Sequence, residues 1–382
     1  MSDLPAILGG EPLFADGPPD WPMHSAPVVA ALSRAANDGS WGKYNGPNCE
    51  QLVADLKTWS GCDYVELCAS GTAASELALR AFKVGSGDEV IIGAYDYAAS
   101  FKNALMLGAT PVLADVDPAT LSIRIDQIED AITDNTKAIV VSHLHGGVVN
   151  MREVMAIADR HGLPVLEDAC QATGGEIGGQ RLGSFGTLGI ISFGGSKLMT
   201  AGRGGAILGN DEQLFQRIHL HSFRGNTAYP LSELQAAVLV PQLEGLEANN
   251  ALRTHRVSQL CKRLTDTELD PVTIADQTEP AWYKVGLRLS ESANLSRDAF
   301  ATAARAEGIA CDRSLHALHT VHSKRRYLAI GELSGATSIN EQALQLHHPI
   351  LLGSDDDLDR LVAGLRGILA HAEQISDLPE CG

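Results

Sequence analysis

Basic residues are in short supply in this chain. Twenty-nine Lys and Arg stand against 47 Asp and Glu, a formal net charge of −18 over 382 residues. That deficit argues against nucleic acid and against anionic membrane surfaces, both of which recruit basic patches. It leaves room for a small anionic substrate, because a local site can differ from the global field. Cysteine is sparse too: seven, at positions 49, 62, 68, 170, 261, 311 and 381, an odd count with no CxxC pair. A disulfide framework or zinc knuckle is therefore not expected, and a reducing compartment fits. No apolar run approaches the ~20 residues of a membrane span. The start, MSDLPAILGGEPLF, lacks the basic residues and continuous apolar core of a signal peptide. Internal repeats and low-complexity tracts are also missing. With 45% hydrophobic and 20% charged residues, the composition is that of a soluble, cytoplasmic protein, and the length suits a large and a smaller domain.

What is present is a rhythm. After a Pro- and Gly-rich segment over residues 1–24, which reads as an extended arm, Leu52, Val53, Leu56 and Trp59 recur at helical spacing. Apolar runs of strand length then alternate with amphipathic helices. The expected strands are Val65–Cys68, Glu89–Ile92, Thr110–Ala114, Ala138–Ser142, Pro164–Glu167, Gly189–Phe193 and Gly205–Leu208. The expected helices between them include Thr72–Phe82, Ile125–Thr133 and Met151–His161. Such alternation predicts an α/β fold, a three-layer sandwich with a mainly parallel seven-strand sheet covered on both faces. The rhythm stops near Gly209. A long helical stretch, Leu231–Arg263, leads to a strand over Ala281–Leu289, a helix over Arg297–Ala306 and a closing helix over Asp355–Ala372, a smaller α+β domain. The expected division is 1–245 and 246–382.

In an open α/β sheet ligands sit beyond the carboxyl ends of the strands, so the residues that follow each strand are the candidates. Ala69-Ser70-Gly71-Thr72 opens a helix and would offer an anion the positive end of its dipole; it reads equally as a plain N-cap by Ser70 or Thr72. It has neither the Lys of a P-loop nor GxGxxG spacing. Tyr95 and Tyr97 end another strand, as a stacking wall for a flat ligand or as ordinary packing. Asp168 ends an apolar strand, where a carboxylate is costly without a cationic partner; a turn or cap role is the alternative. Lys197 lies in SFGGSKLMTAGRGGA, among small, apolar and glycine residues. Desolvation lowers a lysine's pKa, as an amine nucleophile toward a carbonyl requires; a surface lysine on a glycine loop is the bland reading. Each signal alone is weak. Together they supply an anion cradle, an aromatic wall, a carboxylate and an amine, the parts that hold pyridoxal 5'-phosphate. His143, His145, His347 and His348 have no carboxylate or cysteine at ligand spacing, so no metal is expected. Asp115 and Asp117, before Pro118, read as a turn.

The ordered set GSWGKYNG, ASGTAASELAL, VGSGDEVIIGAYDYAAS, GATPVLADVDPATL, TKAIVVSHLHG, EDACQATGGEIGGQRLGSFG and SFGGSKLMTAGRGGA resembles the DegT/DnrJ/EryC1/StrS sugar aminotransferases. These are fold-type I pyridoxal-phosphate enzymes, and the resemblance is nearest to the cyclitol and aminohydroxybenzoate branch. It implies that Gly71, Thr72 and Ser192 bind the phosphate, that Tyr97 stacks on the ring, that Asp168 pairs with the ring nitrogen and that Gln171 lies against the phenolic oxygen side. Lys197 is implied as the Schiff-base lysine and general acid–base. The implied reaction moves an amino group from glutamate or glutamine to a keto-sugar, such as a sugar nucleotide, or to a keto-cyclitol, in a homodimer with shared sites. A dehydratase or aromatising enzyme of the same family would keep every cofactor residue; a regulatory binding protein is the farther alternative. Three departures from the family pattern stand out. Asp96 replaces the usual Thr before the stacking aromatic, and Arg203 stands in the glycine loop. Ala228 and Pro230 occupy the usual Asn and Arg positions before the PLSELQAAVL helix, and the contact to the partner's phosphate is expected to come instead from Asn226 or from a backbone N–H of Gly225 to Thr227.

Overall fold

The apolar runs lie side by side because each is too hydrophobic to face water on either side. In the computed structural model, which describes residues 4–378, seven strands form the main sheet: β1 (Tyr64–Cys68), β2 (Glu89–Gly93), β3 (Thr110–Ala114), β4 (Thr136–Ser142), β5 (Val165–Asp168), β6 (Leu188–Ser192) and β7 (Gly205–Gly209). Their spatial order is β1-β7-β6-β5-β4-β2-β3. Only β7 runs antiparallel to its neighbours. The segment joining it to β6 is a turn rather than a crossover helix, so the chain must double back. The expected α/β class is borne out, and the strand bounds agree within two residues. An eighth, two-residue strand, Leu328–Ala329, was not anticipated; it returns from the C-terminal half and pairs parallel with β3. Two residues carry too little periodicity to be read from sequence.

Alternate residues of each strand enter opposite cores. Ile92, Val140, Leu166, Ile190 and Ile207 pack on one face, and Ile91, Val141, Val165, Ile191 and Leu208 on the other. The first face is covered by α3 (Gly71–Ala81), α4 (Ala98–Met106) and α7 (Glu212–Ser222). The second meets α2 (Pro47–Ser60), α6 (Met151–His161) and the start of α8 (Glu233–Leu264). Leu52 and Leu56 are fully buried, with Val53 and Trp59 packed beside them, as their spacing predicts. Between α4 and α6 the short helix α5 spans only Asp126–Asp130 of the expected Ile125–Thr133.

The arm is less extended than expected. It holds a 3-10 turn at Ala6–Leu8, and the unanticipated helix α1 (Ala26–Asp38) follows it. The arm is pinned to the C-terminal half, where the Glu307 carboxylate accepts from the N–H groups of Ala6 (2.7 Å) and Leu13 (3.0 Å). Beyond α8, strands β8 (Leu269–Pro271), β9 (Lys284–Leu289), β10 (Cys311–Arg313) and β11 (Ala343–His347) form a four-stranded antiparallel sheet in the order β8-β9-β11-β10. The strand expected over Ala281–Leu289 begins at Lys284; Ala281 and Trp282 are buried in the approach to it. No described helix is long and apolar enough to cross a membrane.

Candidate active site

Register brings the candidate residues together. Cys68, Gly205 and Ser192 lie side by side across β1, β7 and β6, and Asp168 lies opposite Ile190 and Ser142. The carboxyl ends of β1, β5 and β6 therefore open at one level, onto a cavity of about 470 Å³. Gly71, Thr72, Tyr97, Asp168, Gln171, Ser192 and Lys197 all line it. Asn226 does not: it is exposed on the loop before α8, its carboxamide oxygen accepting from the Thr227 N–H at 2.8 Å.

The lysine turn is built by close approach. The Lys197 N–H donates to the Gly194 carbonyl (2.9 Å) and the Ala201 N–H to Phe193 (3.1 Å). A Cβ on Gly205 would stand 2.7 Å from the backbone nitrogen of Gly71, and Gly204 takes φ +134°. The glycines thus let the start of β7 pass against the start of α3. The turn is held from outside by the Trp21 Nε1–H, which donates to the Lys197 carbonyl (3.1 Å), and by His348, whose Nε2 lies 3.2 Å from the Ser196 carbonyl. The Lys197 ammonium sits 4.2 Å from the centre of the Tyr283 ring, a cation–π contact.

At the start of α3 the Ser70 hydroxyl accepts from the Ala73 N–H (3.0 Å), so the N-cap reading holds. The first turn of the 11-residue helix also faces the cavity through Gly71 and Thr72. Gly71 is tight against Ser192, whose Cβ would lie 3.0 Å from any Cβ added there.

Asp168 accepts from the Cys170 N–H (2.9 Å) and leaves its remaining capacity toward the cavity. Beside it burial, and then the Asp168 charge, push the Cys170 thiol well above its ordinary value. Asp96 is 3% exposed; it accepts from the Tyr97 N–H (2.6 Å) and the Ser142 hydroxyl (2.9 Å). Burial first, and the charge of Asp168 second, raise its carboxyl to about 8, so near neutrality it holds a proton. Of the two aromatics at this strand end, only Tyr97, 52% exposed, presents a face to the cavity. Tyr95 is buried, bonded to Ser314 and to His145.

Tyr283, Lys284, Leu315 and Gln345 of the C-terminal half complete the lining, and sequence reasoning missed them. The available signal was the polar pair Tyr283-Lys284 at the head of an apolar strand. The four histidines are engaged within the protein: His143 pairs with Glu167, His145 with Tyr95 and Ser314, and the rings of His347 and His348 lie edge-on and tilted, respectively, to Tyr283. Among the described residues no cluster of three or more metal-ligating side chains occurs.

Comparisons with known proteins identify the family and the fold. Residues 26–366 match the model of the DegT/DnrJ/EryC1/StrS aminotransferase family. The chain is 33% identical, over 96% of its length and 97% of the relative's, to an L-glutamine:2-deoxy-scyllo-inosose aminotransferase of Streptoalloteichus tenebrarius. It is 31% identical to an L-glutamine:scyllo-inosose aminotransferase of Streptomyces griseus, over 98% of this chain and 100% of that one. Among solved structures it resembles 3-amino-5-hydroxybenzoic acid synthase, with a TM-score of 0.85 and 26% identity over 93% of this chain and 99% of that one. An aminotransferase from Psychrobacter cryohalolentis matches with a TM-score of 0.85 and 28% identity over the same shares.

Proposed function

We propose that this chain, which belongs to the pyridoxal-phosphate-dependent DegT/DnrJ/EryC1/StrS aminotransferase family, moves the amino group of L-glutamine onto the ketone of an inosose-type cyclitol. The relatives named above carry that donor and that acceptor class in their names. The observation that carries the reading is the single cavity that collects a lysine, a carboxylate, an aromatic face and a helix N-terminus.

The residues present fit pyridoxal phosphate. The buried carboxamide oxygen of Gln171 has no hydrogen-bond partner within the protein, and an orphan of this kind calls for a ligand. The donor set also matches the group's own chemistry: hydroxyls and a helix start for a phosphate, a carboxylate for a ring nitrogen, an amine for an aldehyde. When bound, the cofactor supplies an electron sink that makes a proton on the donor's Cα acidic. Gly71, Thr72 and Ser192 hold the phosphate, and Tyr97 covers the ring. Asp168 keeps the ring nitrogen protonated, and Gln171 contacts the phenolic side. Lys197 would hold the aldehyde end of the cofactor, and its amine is placed to take and return the proton of the donor's Cα. Trp21 and His348 orient the turn that carries it.

The proposed division remains a cofactor-binding domain over 1–245 and a smaller domain over 246–382, in a cytoplasmic homodimer in which Asn226 reaches the partner's cofactor site. Sedimentation is expected to give a dimer, and a monomer with full cofactor occupancy overturns the shared site. The reaction is tested with stoichiometric L-glutamine, which is expected to yield one equivalent of the 2-oxo acid; borohydride reduction is expected to fix the pyridoxyl group on Lys197. A screen of keto-cyclitols against keto-sugar nucleotides follows. No 2-oxo acid, or a label on another lysine, overturns the assignment; turnover with sugar nucleotides alone overturns the cyclitol.

A further inference from the structure

The cavity reverses the charge of the protein around it. In a chain with 47 acidic and 29 basic residues, the charged side chains that line it are Lys197, Arg203, Lys284 and the one carboxylate Asp168. Lys284 is the least explained of these. It is half-buried at the head of β9, and among the described residues it makes no hydrogen bond or ion pair; its recorded contact is the Tyr283 ring, 5.2 Å from the ammonium. Lys197 lies over the same ring at 4.2 Å. Two ammonium groups therefore share one aromatic ring, with no anion bonded to either. Asp312 is engaged elsewhere, with Arg305 at 2.9 Å. Burial lowers the Lys284 ammonium to about 8; the charge of Asp312 opposes the shift without bonding to it, and Lys197 adds its repulsion. A half-buried cation without a partner is costly unless something negative arrives to meet it.

The position says which anion. Arg203 lies on the other flank, one residue before Gly204, which bridges to Ser70 at the start of α3; that is the phosphate side. Lys284 lies on the side of Tyr283 and Gln345, where the reacting part of a substrate has to sit to reach Lys197. An amino-acid donor carries its carboxylate one bond from the Cα whose proton Lys197 moves. We propose that Lys284 is the cation that binds the α-carboxylate of the amino donor, an inference that rests on the transaminase reading above. It fixes the donor so that its Cα–H faces Lys197, with the Tyr283 ring in contact with both ammonium groups.

The test uses the holoenzyme and 4-carbamoylbutanoate, which is glutamine without its amino group and cannot react. Calorimetric titration is expected to show binding that Lys284→Met weakens roughly ten- to a hundred-fold, the usual effect of one charge-assisted hydrogen bond. Lys284→Arg is expected to recover much of it. The uncharged diamide of the same acid is expected to bind wild type and Lys284→Met equally. Cofactor affinity is expected to hold in both variants, and KM for glutamine to rise far more than kcat falls. Unchanged binding of the carboxylate to Lys284→Met overturns the proposal, as does no binding to wild type, or a loss that appears in Arg203→Met instead. If wild type forms no 2-oxo acid from glutamine, the transaminase reading itself falls; if it does and Lys284→Met binds normally, only this assignment falls.

Discussion

Glu167 and Asp168 are neighbours on β5, and the pleat sends them to opposite faces of the sheet. Glu167 is fully buried and saturated. Its carboxylate accepts from the N–H groups of Gly183 (2.7 Å), Phe185 (2.8 Å) and Gly186 (2.9 Å) and from His143 (3.1 Å). The His143 donor is fixed by its other nitrogen, which accepts from the Val149 N–H (3.1 Å). Asp168 has one recorded donor, the Cys170 N–H, and faces the cavity. Two carboxylates, one residue apart, thus differ in what completes them. The protein itself completes Glu167, which ties the 183–186 loop to the sheet. Asp168 is left for something that binds.

The sharpest break of this comparison removes one charge from each. Asp168→Asn keeps the shape and the bond from Cys170 but no longer supports a protonated ring nitrogen. The half-reaction rate with glutamine is expected to fall by roughly a hundred-fold or more, while the urea midpoint moves little. Rates within a few-fold of wild type would assign that proton to another group. Glu167→Gln is expected to do the reverse. An amide cannot accept from three backbone N–H groups and a histidine at once, and each buried donor left unsatisfied costs about 1–3 kcal/mol. The denaturation midpoint is expected to drop, with turnover per folded molecule close to wild type. A normal midpoint would show that the loop is held by other contacts.

The sequence made Asp168 legible and Glu167 opaque, although both stand in the same quoted run. A carboxylate at the end of an apolar strand signals a site because strand ends open onto ligands. A carboxylate one residue earlier carries the same letters' worth of information, and only the loop that folds over it tells its purpose. The sheet was readable because its strands are apolar on both faces. Asp168 and Ser192 were singled out because each ends such a strand, and Gly71 and Lys197 because each follows one. Tyr283, Lys284 and Gln345 were not, since they reach the cavity from a small sheet whose placement depends on long-range packing rather than on any local pattern. Trp21 escaped for the same reason: its indole N–H is 176 positions away from the carbonyl it holds, and nothing in a Pro-rich arm announces that contact.

Asp96 is the intermediate case. Like Glu167 it is buried and hydrogen-bonded, yet like Asp168 it stands beside the cavity, where the usual family residue is an uncharged Thr. Its raised carboxyl gives the comparison a pH axis. The unfolded chain releases this proton near 3.8 and the folded chain near 8. Between those values the folded state binds more protons than the unfolded one, so this group's contribution to stability falls as pH rises through the window. Asp96→Asn removes the slope, because an amide stays neutral and can still accept from the Tyr97 N–H while donating to Ser142. In cofactor-free protein the advantage of the variant over wild type is expected to be smaller near pH 5 and larger at pH 8.5, because the window opens at the unfolded value of 3.8 and stays open until about 8. Double substitution with Asp168→Asn separates the two causes. If the charge of Asp168 contributes as its place beside Asp96 requires, the alkaline advantage of Asp96→Asn shrinks in that background. An advantage of equal size at both pH values would mean that Asp96 is ionised throughout, and that the burial of this third carboxylate is met by its hydrogen bonds alone.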